Sequence, residues 1–441
     1  MSSSTFIDLR VNNAEQFKNS VTGTPNTKMF LVFGKIDSWA NDLSPDIANT
    51  SMNMMYEVWD NMIGGKRILG GDMYHVIPRH NWSSNTVYTA YDDKSTTLYD
   101  SNTIFYVMNS TYSVYKCIAN NYGKVSTIEP TSVNPEIVST TGDGYSWKYM
   151  YTVSDSEKLR FVTDAYIPVK TLTGDDGSLQ WQVQNTAISG AINNIVVTNS
   201  GNNYTNVSNI SIVITGDGSS ASAIPTVNTT TNTISSIVIT DSGKNYTYAT
   251  VSITDKGLGA GANARAIISP FNGHGTNPVY ELGGKNILIN AKLRYTEEGV
   301  LPVGNDYRQI AILKDPYYYN TGIPASNLAF VQALTLVCDG VGDFQSDEIV
   351  YQGTNFAQSS FSGKVVSWDS TTSKLLLINT KGTPTISQSV IGVTSFTTRV
   401  ATNYTNGTMK KFSGRLLYVD NIKPITRATD QIENFQILLK F

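Results

Sequence analysis

Charge is the scarcest ingredient of this sequence. Asp, Glu, Lys and Arg make up 15% of its 441 residues, against roughly 25% in ordinary globular proteins. The two signs nearly cancel, 32 Lys and Arg against 35 Asp and Glu, for a net charge of −3. No basic excess is visible, which argues against nucleic acid as a partner. Cysteine is almost absent: Cys117 and Cys338 each sit in an apolar run (YKCIA, LVCDG). That excludes a disulfide scaffold and a zinc finger and leaves two buried free thiols as the expectation. Histidine is nearly as rare, with only His75, His80 and His274. The first two flank Pro78 and share no helix face, so no metal centre and no cofactor are expected. No run of about 18 apolar residues occurs, so no membrane span is expected. The opening MSSSTFIDLR has neither a basic nor an apolar leader region, and synthesis in a cytoplasm is expected.

What the sequence has is tyrosine and glycine, 25 and 34 of them, with Val, Ile and Thr in runs, the composition of β-structure. Helix signals gather in the first 65 residues. Asn12 and Glu15 are spaced as a capping box, with Ala14, Phe17 and Val21 at helical intervals. A second helix is expected after Ser51, with Met52, Met55, Trp59 and Met62 as its apolar stripe and Gly64-Gly65 as its stop. Between them, Met29 to Gly34 (MFLVFG) reads as a buried strand. Thr103–Met108, Tyr112–Ala119 and Tyr145–Val153 read as strands, the last after a Gly142-Asp143-Gly144 turn. Alternation places Trp147, Tyr149 and Tyr151 on one face. Asn286–Tyr295 and Tyr307–Leu313 are further strands, followed by a loop with Tyr317, Tyr318 and Tyr319, a candidate contact surface.

Two segments stand apart. Ile192–Thr205 (INNIVVTNSGNNYT) recurs 42 positions later as Ile234–Thr247 (ISSIVITDSGKNYT). Each copy is a strand, a Gly turn, a Tyr-Thr corner and a second strand, and two copies are better read as β-units packed together than as a solenoid. GLGAGA from Gly257 lacks the third glycine of a dinucleotide fingerprint and is read as a turn plus an edge strand. From Leu334 to about Thr398, short strands (LTLVCD, DEIVYQG, GKVVSWD, KLLLINT, SVIGVTSF) recur with turn residues between them, the signature of a small barrel or sandwich.

Catalytic signals are missing. Asp92-Asp93, Asp175-Asp176, Glu297-Glu298 and Asp347-Glu348 are chain neighbours, which strands point to opposite faces, so no adjacent pair flanks a glycosidic bond. There is no GxSxG elbow and no EF-hand spacing. A weakly charged β-protein rich in Tyr, with no site for chemistry, points to a structural or binding role and not to an enzyme.

Six segments then agree in order with one family: MFLVFGKIDSW (Met29–Trp39), VWDNM (Val58–Met62), VIPRHNW (Val76–Trp82), GDGYSWKYMY (Gly142–Tyr151), YRQIAILKDP (Tyr307–Pro316) and Gly414–Phe441, which holds LLYVDNIKPI and ATDQIENFQILLKF. The chain resembles the baseplate wedge subunits, products of gene eight, of T-even-type contractile-tailed bacteriophages. The motif positions are Pro78, Arg79, Trp82, Gly142, Asp143, Gly144, Trp147, Arg308, Gln309, Asp430, Gln431 and Phe441. The resemblance implies a mainly β protein with a few short helices and a β-sandwich-like wedge core. No counterpart is recognised for the two odd segments, so the expected division is 1–186, 279–327 and 403–441 as core, with 187–278 and 328–402 as inserted small β-domains. It implies a virion structural protein of the tail baseplate, made in the bacterial host cytoplasm. It would form a homodimer, meet other wedge subunits and fibre-bearing peripheral proteins, and take part in the rearrangement that triggers sheath contraction. Trp39, Trp82, Tyr317, Tyr318 and Tyr319 are the expected interface residues. The competing reading is a glycan- or receptor-binding tail protein acting in host recognition.

Overall fold

The computed structural model describes residues 6–23, 27–294, 297 and 301–441. The protein is mainly β, as the composition requires: among the described residues most elements are strands, joined by five short α-helices. The chain divides into two units. One takes the described residues of Met1–Glu15 with Tyr74–Leu288 and Leu438–Phe441; the other takes Gln16–Met73 and Ile289–Ile437.

The first unit is built on a sheet whose strands lie in the order Tyr106–Met108, Ser113–Asn120, Tyr145–Thr152 and Val138–Thr140. Both faces are covered, which explains why its sequences are apolar without a polar alternate. Tyr115, Cys117, Tyr145, Trp147 and Tyr149 pack on one side with Tyr88 and with Val183 of the helix Leu179–Asn185. Val114, Met150 and Tyr151 join the other side, with Phe105, Val153 and Ile167. The expected ladder of Trp147, Tyr149 and Tyr151 is therefore wrong at its last member. A bulge between Val114 and Tyr115 shifts the pairing and turns Tyr151 to the opposite core, as one extra residue in a strand must.

The repeat folds as an exchange. The strands of the first copy are Ile192–Asn202, Ile210–Gly216 and Ser222–Asn228; those of the second are Thr233–Asp241, Ala249–Asp255 and Ala260–Ile268. The first strand of each copy pairs with the third strand of the other, and the two middle strands pair together. The corner tyrosines cross in the same way. The Tyr204 hydroxyl accepts from the Ala262 N–H at 3.3 Å and the Tyr246 hydroxyl from the Ala221 N–H at 3.4 Å. Gly201 (φ 61°) and Gly243 (φ 60°) hold equivalent turns. A Cβ at Gly201 would stand 2.6 Å from backbone atoms of Ala260 and Ala262, and one at Gly243 within 2.6 Å of those of Ser219 and Ala221, just before the exchanged strand, so only glycine fits. Ala260–Ile268 lies between two neighbours in a four-stranded sheet, so GLGAGA leads into an inner strand and not an edge strand. The module's two ends meet: the Ser269 N–H donates to the Ala191 carbonyl at 2.8 Å, and the Ala191 N–H donates to Ser269 Oγ at 3.0 Å.

The second unit holds a five-stranded antiparallel sheet in the order Ala329–Val331, Met62–Ile68, Met29–Gly34, Asp306–Lys314 and Arg415–Thr426. Met29–Gly34 is buried at every position. The helix Met52–Asn61 covers it and is capped by Ser51, whose Oγ accepts from the Met54 N–H at 3.1 Å. Its buried face is Met54, Val58 and Trp59; of the predicted stripe Trp59 and Met62 are buried, while Met52 is exposed. Gly64 and Gly65 do not stop this helix. They lie inside the next strand, where the missing side chains admit the Phe330 and Leu31 carbonyls to within 2.6 and 2.7 Å of where a Cβ would be. The first helix likewise starts earlier than its capping box suggested, at Ile7–Thr22. Leu334–Asp339, Lys374–Gly382, Phe361–Asp369, Ile349–Gln352, Ser389–Gly392 and Thr398–Thr405 close into a barrel filled by Leu336, Val350, Phe361, Val365, Leu375 and Leu377. Closure leaves no strand edge bare. Both cysteines are free and buried, and burial raises the thiol of Cys338 to about 11.

Candidate functional site

The expected contact residues divide between the two units. In the second unit Trp39 is half-buried; its indole N–H donates to the Ile422 carbonyl at 3.1 Å and the Lys35 ammonium lies 4.4 Å above its ring. Tyr317 and Tyr319 are exposed, and their loop is tied down: the Tyr317 N–H donates to Ser413 Oγ at 3.0 Å, and the Tyr318 hydroxyl accepts from the Ser326 N–H at 3.0 Å. Tyr319 borders a hollow of about 230 Å³ together with Trp59, Asp60, Gln332 and Lys411, and Lys411 is paired with Asp60 at 3.0 Å. Beside this hollow Tyr56 and Phe412 meet edge to face at 5.1 Å, both about half exposed. Leu43, Ile47 and Met52 also expose their side chains, Ile47 to 93%. Trp82 belongs to the other unit, half-buried against the Tyr88–Trp147 core, with its N–H on Ser126 Oγ at 3.2 Å.

The motif positions act as fasteners. The Asp143 carboxylate accepts from the N–H groups of Thr127, Ile128 and Tyr145 and from the Ser126 and Thr141 hydroxyls. Partial burial pushes its pKa up, but these hydrogen bonds outweigh it and hold the carboxyl at about 2. Gly144 (φ 83°) leaves room for the Asn121 side chain, and Gly142 and Gly144 bracket the turn. Trp147 stacks on Tyr145 at 5.6 Å. Pro78 accepts the Tyr106 hydroxyl on its carbonyl at 2.8 Å, and Arg79 donates to the Thr163 carbonyl at 3.0 Å. In the second unit Arg308 reaches the Ile36 carbonyl at 2.6 Å and clamps Asp42 from 3.0 Å, and Gln309 donates to Asn421 at 2.8 Å. Asp430 and Gln431 make the turn between the last two strands, and Phe441 is half-buried.

The acidic neighbours are engaged in structure. Asp92 and Asp93 both pair with Arg265, Asp175 and Asp176 close their own turn, and Glu348 accepts the Gln345, Thr394 and Ser395 N–H groups. Among the described residues no three His, Cys, Asp or Glu side chains are placed to hold a metal ion, and no helix is long and apolar enough to cross a membrane.

Two features escaped the sequence reading. One is a buried charge cluster. Lys116 and Glu281 pair at 2.9 Å with side-chain exposures of 1% and 6%. The ammonium lies 4.3 Å from the Tyr91 ring, on which the His274 ring also packs at 4.8 Å. Burial, with Lys116 and Lys148 nearby, drives the His274 pKa well below its usual range. Burial also lowers Lys148 to about 8, against the pull of Glu281 and Glu136. A lysine inside the otherwise apolar run YSVYKCIA was the signal. The other feature is a groove of about 700 Å³ between the Asn120–Tyr122 turn, the Val138–Thr140 strand and the first strands of the two repeat copies.

Comparison with known proteins bears out the resemblance. Residues 3–127 match the family model described as Bacteriophage T4, Gp8, a stretch that includes the first three of the six motif segments. A curated relative, the baseplate wedge protein gp8 of Enterobacteria phage T4, is 23% identical over 211 residues, which cover 38% of this chain and 63% of the relative. The chain thus spans a little under two thirds of the length of the relative it matches.

Proposed function

We propose that this chain is a structural subunit of a contractile-tail baseplate wedge, resident in the virion and made in the host cytoplasm. In this reading it forms a homodimer, contacts other wedge subunits and fibre-bearing peripheral proteins, and moves with the baseplate as the sheath is triggered. The match of residues 3–127 to the wedge family carries the proposal. The geometry supports it in two ways. The acidic pairs that a hydrolase would need are engaged in holding turns and neighbouring strands. The second unit also exposes large apolar side chains, Ile47, Met52, Tyr56 and Phe412, on a sheet-backed frame, as a subunit that lives among companions does. Segments 187–278 and 328–402 are, on the same reading, insertions carried in surface loops of the wedge core. Analytical ultracentrifugation tests the reading: a dimer is expected at micromolar concentration, and a strict monomer that also fails to co-assemble with its phage's other wedge proteins overturns it.

A further inference from the structure

We propose that the groove of the first unit binds a neutral oligosaccharide of two or three sugar units. Its volume of about 700 Å³ falls in the range of roughly 300–1,000 Å³ typical of ligand sites. Its wall is nearly without charge: among the described residues Glu136 is the one carboxylate that borders it, and no Lys, Arg or His does. Such a wall gives no purchase to nucleic acid or to an acidic polysaccharide.

Branched apolar side chains, Ile137 and Val238 among them, share the wall with a tyrosine ring and a set of short polar groups, the pairing that recognises a sugar's C–H face and its hydroxyls. Tyr122 is 53% exposed at the groove, and no other aromatic ring packs on it among the described residues. Its placement is fixed, not incidental. Asn121, Tyr122 and Gly123 all have positive φ, at 47°, 57° and 79°, a conformation that costs energy for the first two and persists only where its surroundings enforce it. Here they do. Asn120 accepts from the Gly123 N–H at 3.2 Å and donates to the Tyr88 carbonyl at 3.0 Å, and Asn121 donates to the Asp143 carbonyl at 2.9 Å. A half-exposed tyrosine on a constrained backbone loses little freedom when something stacks on its ring. Opposite stand Asn193, Ser236 and Ser242 of the repeat module. Among the described residues no side-chain hydrogen bond engages the Asn193 amide, which is half-buried at the groove and available to a ligand hydroxyl.

An extended peptide is the other occupant such a site invites, by adding a strand to an open edge. Three strands that border the groove end their sheets. Two of them, Ile192–Asn202 and Thr233–Asp241, lie against each other, and the Ile192 N–H donates to the Ser242 carbonyl at 2.8 Å. The third, Val138–Thr140, is three residues long, short of the roughly five or six of an ordinary strand. The short polar side chains Asn193, Ser236 and Ser242 on the same wall as the Tyr122 ring favour the sugar.

The test uses the full chain on a printed array of neutral and anionic glycans, followed by ligand-observed NMR with maltotriose, cellotriose and chitotriose. Binding to at least one neutral glycan is expected. Tyr122→Ala and Asn193→Ala should each weaken it about tenfold or more, while Tyr122→Phe, which keeps the ring, stays within about threefold. Melting curves of all three variants should match the parent, because both side chains reach solvent. Binding that is absent, confined to anionic glycans, unchanged in Tyr122→Ala and Asn193→Ala, or displaced by an extended peptide in the groove overturns the proposal. The dimer measurement above is independent of this one, so either reading can fail alone.

Discussion

Glu281→Gln is the most informative single change to this molecule. Glu281 faces Lys116 at 2.9 Å, and its other oxygen accepts the Gly275 and Asn277 N–H groups at 2.7 and 3.2 Å. Glutamine keeps the shape and one acceptor but removes the charge, leaving a fully buried ammonium beside neutral groups. Breaking a buried pair on one side costs about 3–5 kcal/mol. At about 2–4 °C per kcal/mol for a body of 150–250 residues, the melting temperature should fall by roughly 6–20 °C. The loss also carries a pH signature. Burial already lowers the Lys116 pKa below 10.5, and Glu281 opposes that; without the carboxylate it falls further. Between the folded pKa and 10.5 the unfolded chain binds one proton more, so the variant gains stability with rising pH, by at most about 1.4 kcal/mol per unit. His274, Lys148 and Tyr91 surround the same point, and none of them supplies a replacement negative charge near neutral pH. Replacing both partners, Lys116→Met with Glu281→Gln, should restore much of the loss, since no buried charge is left unpaired and the amide oxygen still accepts the Gly275 and Asn277 N–H groups. Differential scanning calorimetry from pH 6 to 10 reads all three proteins. A single variant that melts within about 2 °C of the parent, with no pH dependence, would refute the reasoning.

Other outcomes follow from the same geometry. Gly201→Ala and Gly243→Ala should each destabilise the repeat module by about 2 kcal/mol or more, and by nearly equal amounts, as followed by urea unfolding; a large inequality would break the equivalence of the two copies. Asp143 titrates at about 2 against an ordinary 3.8, so its contribution is present above 3.8 and lost as pH falls towards 2. Asp143→Asn should remove that acid-dependent part, about 1 kcal/mol after solvent screening, as read by acid denaturation. Ile47→Asp alters a side chain that is 93% exposed; the melting point should stay within about 2 °C while sedimentation shows self-association weakened at least about tenfold.

The strands were legible where a local pattern and the tertiary environment agree. Met29–Gly34 and the barrel strand Leu334–Asp339 sit where their apolar residues demanded. Local rules failed where a distant neighbour decides. Gly64-Gly65 looks like a helix stop because glycine breaks helices, yet the Phe330 and Leu31 backbones need that space. The helix after Ser51 was found by its apolar spacing, but Met54 and Val58 join the buried face because they pack with Phe30 and Phe330, residues a periodicity count cannot see. The repeat was plain in the letters, and the exchange of strands was not, because each copy's pairing partners lie in the other copy. The Tyr204 and Tyr246 rings are buried at the corners of that exchange. The candidate groove had no linear signature, since Tyr122 and Asn193 are brought together only by folding.

The hydrogen-bonded neck at Ala191 and Ser269 sets the entry and exit of the repeat module side by side, so an engineered deletion between them needs only a short splice. Because the module also supplies part of the wall of the groove that Tyr122 borders, the same deletion should abolish the proposed glycan binding.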